Sequence, residues 1–289
     1  MRALPAILAG GLLCSAVIRG SWCGEWQLRE SITDKNKESS PASAFFLKPQ
    51  GQERTYGIDA AVLYDFQLKS RSTSLFSYAS YDRNTAIEVE QDLLTAGFGW
   101  ERQVDFGRRG WGPVYTATAD YKRDGTAGAR GARLTTGLTI DSELKGGTAG
   151  HPQWYPGSPG PRRAGKYFSW QWEWAAYLQW DKTASAENGG PAGDIFRSFG
   201  DLSAYAYPGG DRIKNQVEVE LSYRYTWNFD RSRQLDVGDS TVALFRSSLN
   251  LYFTEDRKYG LGIDYARGAD PVEGLARQTF YRVSFKAQI

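Results

Sequence analysis

From Gln216 to Phe229 the chain alternates apolar and polar residues without a break. Val217, Val219, Leu221, Tyr223, Tyr225, Trp227 and Phe229 share one face, while Gln216, Glu218, Glu220, Ser222, Arg224, Thr226 and Asn228 share the other. Successive strand side chains point to opposite faces, so this stretch is an apolar wall backed by a charged one; a helix would scatter the same residues around its circumference. The pattern returns at Tyr56–Leu68, Trp170–Trp180, Ala243–Phe253 and Tyr259–Tyr265. Strands of soluble proteins usually run about five or six residues. A tilted strand crossing a bilayer needs about nine to eleven, and several of these alternations are longer. A soluble sandwich or barrel would turn the apolar face inward. A small barrel has no room inside for 10 Trp, 17 Tyr and 14 Phe, whereas a lipid-facing surface accepts them, above all as interfacial girdles. The expectation is an all-β fold: a transmembrane, antiparallel, up-and-down β-barrel.

The first segment reads as an address. Met1-Arg2 precedes an apolar run from Ala3 to Ile18, followed by small residues, as in a secretory signal peptide. Cleavage after Gly20 or Cys23 fits, and the division expected is 1–23 signal peptide and 24–289 barrel. Arg2, Arg19, Cys14, Cys23 and the one Met would leave with the signal, so the mature chain is close to neutral. No later apolar run approaches the roughly twenty residues of a membrane helix.

Composition removes several functions. Lys plus Arg is 35 against 33 Asp plus Glu, which gives no basic excess for nucleic acid. With one His and two Cys there is no His/Cys metal site and no disulfide framework, and no cofactor is expected.

The last residues are Thr-Phe-Tyr-Arg-Val-Ser-Phe-Lys-Ala-Gln-Ile, with Tyr281, Val283, Phe285 and Ile289 on one face and Arg282, Ser284, Lys286 and Gln288 on the other. This segment resembles the closing strand of Gram-negative outer-membrane β-barrel proteins, which end on an apolar or aromatic residue in phase with the lipid face. The departure is terminal Ile289, where Phe is most usual. The resemblance is to the class, not to a family within it, and no functional residues carry over. It implies an outer-membrane location, contact with outer-membrane lipids and lipopolysaccharide, and reading of Tyr281, Val283, Phe285 and Ile289 by the barrel-assembly machinery.

Strands are expected near 25–33, 54–69, 72–83, 90–104, 112–123, 131–145, 165–182, 195–207, 213–230, 239–254, 258–267 and 276–289. That makes about twelve, an even number as bacterial single-chain barrels require, with ten as the alternative. Residues 72–83 and 195–207 alternate poorly. Links 34–53, 84–89, 124–130, 183–194, 231–238 and 268–275 fall outside the cell and the others in the periplasm. Segment 146–164 is long for a periplasmic turn and could fold into the lumen as a plug.

On this phasing the lumen holds the acids Asp59, Asp65, Glu101, Asp120, Asp141, Glu143, Glu173, Asp181, Asp201, Glu218, Glu220 and Asp264. Its bases are Arg29, Lys122, Arg133, Arg197, Arg224, Arg246, Arg282 and Lys286. About eight strands can be filled by side chains and sixteen or more leave an aqueous channel, so twelve lies between. The leading expectation is a narrow channel or porin for small polar solutes, with these charges setting a weak cation preference. Tyr177 and Tyr205 could offer faces to sugar rings, and Trp170, Trp172, Trp174 and Trp180 a lipid-packing or subunit face. Two alternatives stand beside it: a closed structural or recognition barrel without transport, and a lipid-active outer-membrane enzyme. Enzymes of that kind would need a His beside a Ser or an Asp. His151 lies in the Pro/Gly-rich segment seven residues from Ser158, and nothing sets the two on one strand face. No enzyme activity is therefore expected.

Overall fold

The computed structural model describes residues 24–29, 42–47, 55–66, 68, 73–85, 90–104, 112–141, 162–163, 167–184, 192–209, 213, 216–231, 239–255, 257–273 and 275–287. They form one antiparallel sheet of fourteen strands. These are β1 (Gly24–Arg29), β2 (Ala42–Leu47), β3 (Thr55–Phe66), β4 (Thr73–Asn84), β5 (Gln91–Gln103), β6 (Gly112–Asp124), β7 (Ala129–Asp141), β8 (Arg162–Arg163), β9 (Phe168–Thr183), β10 (Gly193–Pro208), β11 (Val217–Arg231), β12 (Thr241–Tyr252), β13 (Tyr259–Asp270) and β14 (Leu275–Ala287). Twelve of them close on themselves: β2 to β7 and β9 to β14 follow chain order around the ring, and β14 pairs with β2. Two-residue β8 attaches to β9 beside the ring.

The first wall position is built from two pieces. β1 pairs with Ala61–Phe66 and β2 with Thr55–Asp59, so both lie along the same edge of β3, one after the other. Here the structure corrects the sequence-based boundaries. The first strand is described over Gly24–Arg29, with residues 30–33 outside the described residues, and the link expected at 34–53 contains the strand that closes the barrel. Among the described residues the seam sets Phe285 opposite Ala44, Lys286 opposite Ser43 and Ala287 opposite Ala42. Side chains strap it from within. Arg282 on β14 reaches past β2 to Asp59 on β3, and its guanidinium lies 5.9 Å from the ring centre of Phe45 on β2.

Alternation sets the two faces. Leu221, Tyr223, Tyr225, Trp227 and Phe229 point outward, while Glu218, Arg224, Thr226 and Asn228 are buried inside. The weakly alternating stretches are full strands too. On β4 the inner face carries Phe76, Tyr78, Ser80 and Asp82; on β10 it carries Ile195, Arg197, Phe199, Ser203, Tyr205 and Tyr207. Their pattern looked poor because this interior accepts aromatic rings as well as charges.

Glycine makes room for those rings. Gly99 stands opposite Phe76 and Gly137 opposite Tyr177. A Cβ added at either would fall 2.1 Å or 2.3 Å from the partner ring, so the ring lies across the bare glycine backbone. Turn chemistry is equally local. Between β6 and β7, Asp124 Oδ1 accepts from the N–H groups of Thr126 and Ala127, and Gly128 takes the positive φ that ends the turn.

A ring with no free edge in the barrel wall resists detergent. The unheated protein in dodecyl sulfate is expected to migrate differently from the boiled protein; identical mobility would mean that the seam does not hold.

Candidate functional site: the barrel interior

The structure places Asp59, Asp65, Glu101, Asp120, Lys122, Arg133, Glu173, Asp181, Arg197, Asp201, Glu218, Glu220, Arg224, Arg246, Asp264, Arg282 and Lys286 on inward-facing positions of their strands. The side chains of Arg29 and Asp141, and the whole of Glu143, lie outside the described residues, as do His151, Ser158 and most of segment 146–164. Tyr281, Val283 and Phe285 face outward on β14, while Ile289 lies outside the described residues.

The inward charges form five groups, each joining different strands. On the first wall, Arg133 Nε donates to Asp120 Oδ1 at 2.9 Å, and the Tyr78 hydroxyl donates to Asp120 Oδ2 at 2.8 Å. Beside it Lys122 Nζ lies 2.5 Å from Asp181, with Arg197 3.6 Å from the same carboxylate. Across the barrel, Arg282 binds Asp59 and, at 2.9 Å, Asp264, which also takes Lys286 at 3.1 Å and the Ser284 hydroxyl. At the end that carries the chain's terminal strand residues, Glu218 accepts from Asn250, Tyr252 and Arg257. Arg257 comes from the turn after β12, where it holds a positive φ of 56° and stands over the rings of Tyr207 and Tyr252.

The fifth group is at the opposite end, and its key residues lie in a link that reads as a plain surface loop. The turn between β13 and β14 folds into the barrel. Gly268 adopts φ 128° at a register shift, and Asp270 Oδ1 accepts the Val272 N–H at 3.0 Å, which curls the chain inward. Val272 and Leu275 are buried. Arg224 on β11 donates to Asp201, to Asp270 at 2.5 Å and to Glu273 at 3.2 Å, while Arg246 on β12 donates to Glu273 at 2.5 Å. The far wall also holds the turn: Gln91 on β5 donates to the Glu273 carbonyl at 2.6 Å, and Arg133 on β7 to the Val272 carbonyl at 2.8 Å. The hairpin therefore bridges the lumen. Burial alone would raise the Glu273 carboxyl, but the Arg246 and Arg224 guanidiniums outweigh it and hold the group well below the usual carboxylate range.

Side chains that line a wide aqueous channel are wet. Here Asp181 and Arg197 are each 2% exposed and Glu218 is 0% exposed, so rings and ion pairs fill much of the cross-section. Tyr205 is likewise buried, and Tyr177 is stacked on Phe199 at 4.6 Å, so neither presents an open face to a sugar. A cavity of about 50 Å³ remains among Asp59, Asp82, Glu220, Asp264, Glu273, Arg246 and Arg282. That is room for one or two waters or a small ion, at about 30 Å³ per water.

One wall carries a different signal. Down β9 and β10, Arg197 Nε and Nη1, Gln179 Oε1, Ser203 Oγ and Gln171 Oε1 are buried without a hydrogen-bond partner among the described residues. Gln179 faces Arg197, Ser203 faces Glu173, and Gln171 faces Tyr205, so these atoms form a column broken midway by the stacked rings of Tyr177 and Phe199. At about 3.3 Å per residue, the eight steps from Gln171 to Gln179 span roughly 26 Å. Buried polar groups of this kind require water or another polar partner. Among the described residues there is no group of three or more His, Cys, Asp or Glu side chains placed to hold a metal ion.

Neither a protein-family model nor a curated protein matches this chain.

Proposed function

We propose that this chain is an outer-membrane β-barrel that acts as a narrow channel for small polar solutes, occluded in the conformation described here. The observation that carries the channel reading is the unpartnered polar column along β9 and β10. It provides water-binding groups at two levels of a packed interior, on either side of the Tyr177–Phe199 stack. Ionisable side chains inside a membrane protein are costly and mark pathways more often than packing. A barrel needing only stiffness is served at least as well by apolar filling. The apolar outer face and the resemblance of the closing strand to outer-membrane barrels support the location. The alternation of acids with bases suits ions and small dipolar solutes, and the acids around the 50 Å³ cavity favour cations.

The test is single-channel recording of the refolded protein in a planar bilayer under a potassium chloride gradient. Small, infrequent steps with a reversal potential on the cation side are expected. Large, steady conductance of the porin type would contradict an occluded lumen. A second reading, a closed recognition barrel, draws on the Glu218–Arg257 plug at the terminal end. It predicts no steps from folded, inserted protein.

A further inference from the structure

We infer that the β13–β14 hairpin is the gate of this channel: it closes the lumen through Glu273 and opens by swinging off Arg224 and Arg246. The inference rests on the channel reading above and names how that pathway is regulated.

Three observations carry it. First, among the described residues the turn is joined to the barrel at its own ends and by the packing of buried Val272, and is otherwise held across the lumen by side-chain hydrogen bonds. Arg224, Arg246, Gln91 and Arg133 all reach it from other strands. Contacts of this kind break and reform without disturbing any strand pairing. Second, hinges are built in. Gly268 has a positive φ of 128°, where an added Cβ would strike the Ala243 carbonyl oxygen at 2.0 Å, and the register of β13 with β14 slips between Gly268 and Asp270. The regular ladder is already interrupted where the hairpin bends inward, before Asp270 pairs with Leu275. Third, the turn spans between walls. Residues 272 and 273 join β11 and β12 on one side to β5 and β7 on the other, so their departure unblocks the cross-section at that end. Glu273 also lines the remaining cavity, so releasing it joins that cavity to the exit. Arg277 and Asp239 form an exposed rim pair nearby and take no part in the bridge.

Two readouts test this, one of them independent of conduction. In a background with Cys14 and Cys23 replaced by Ser, Val272→Cys places a thiol at the buried tip of the hairpin. It is expected to react slowly with a charged, membrane-impermeant thiol reagent, and at least about tenfold faster once Glu273→Ala is added. Loss of charge-assisted hydrogen bonds from the latch predicts a change of this size. In bilayer recordings Glu273→Ala is expected to raise open probability by a similar factor, while Arg277→Ala leaves it unchanged. Heat-shifted gel mobility verifies folding of each variant, and replacing residues 271–273 by Gly-Gly provides a second variant that does not depend on one side chain.

The outcomes separate the two ideas. If the unmodified barrel conducts, neither Glu273→Ala nor the shortened hairpin changes open probability, and Glu273→Ala leaves the labelling rate of Val272→Cys unchanged, the gate is wrong and the channel stands. If the barrel with the shortened hairpin is folded and still passes nothing, the channel reading itself is wrong. Equally slow labelling with and without Glu273→Ala overturns the latch.

Discussion

Ile263→Arg is expected to destabilise the folded barrel by about 2–4 kcal/mol when it is refolded into lipid vesicles. Ile263 faces outward on β13, 55% exposed, between Leu249 on β12 and Val283 on β14 in register. An arginine there must leave water for hydrocarbon, snorkel, or thin the bilayer around it. On a soluble protein the same exposed position would tolerate arginine within about 0.5 kcal/mol, so the variant measures what the outer face touches. Urea titration followed by tryptophan fluorescence in vesicles gives the number. A change near zero would return the apolar face to some other partner and remove the membrane from the account.

Arg224→Met is expected to cost more than a typical point change, about 3–5 kcal/mol. Arg224 is the cation shared by Asp201, Asp270 and Glu273, and its guanidinium lies 5.3 Å from the ring centre of Phe199. Methionine keeps much of the stem's bulk but leaves Asp201 and Asp270 desolvated with their shared cation gone. Arg246 still neutralises part of Glu273, so the deficit falls mainly on the other two acids. The double variant Arg224→Met with Asp201→Asn should recover part of the loss, because one of the stranded charges is removed as well. Equal stability of Arg224→Met and the parent would mean that water reaches this cluster freely.

Much of the fold was legible because a lipid-facing wall imposes its period on the sequence. On β11 every outward position from Val217 to Phe229 is apolar and every inward one polar, and nothing but a long strand explains that. The signal faded where the inside also takes rings. Phe76 and Tyr78 on β4, and Ile195, Phe199 and Tyr205 on β10, blur the contrast between faces without weakening the strands. It was missing altogether at Ala42–Leu47. There Ala-Ser-Ala-Phe-Phe-Leu has no alternation, and pairing with β3 and β14 makes it a strand.

The inward phase of the charges followed from the same period, but their partners did not. Which acid meets which base depends on strand stagger, as with Arg282 and Asp59, 223 residues apart. The hairpin was the largest miss. Asp270-Pro-Val-Glu-Gly-Leu275 reads as a solvated link, and its one warning was the pair of apolar residues, Val272 and Leu275, in so short a connection. The polar column on β9 and β10 left no trace in the sequence, since Gln and Ser inside a barrel look the same whether or not they find partners.

The seam between β2 and β14 has a consequence for how the molecule is made. Every other neighbour in the ring is close along the chain, so hairpins can zip in sequence as the polypeptide is supplied. The closing pairs join residues 42–44 to 285–287 and cannot form until nearly the whole chain is present. Linking segments so distant carries the largest loop-closure entropy in the fold, and among the described residues three residue pairs and the Arg282 strap repay it. Until that moment the protein is an open sheet with two unsatisfied edges, each able to template pairing with another molecule. Ring closure is therefore the step at which productive insertion competes with aggregation.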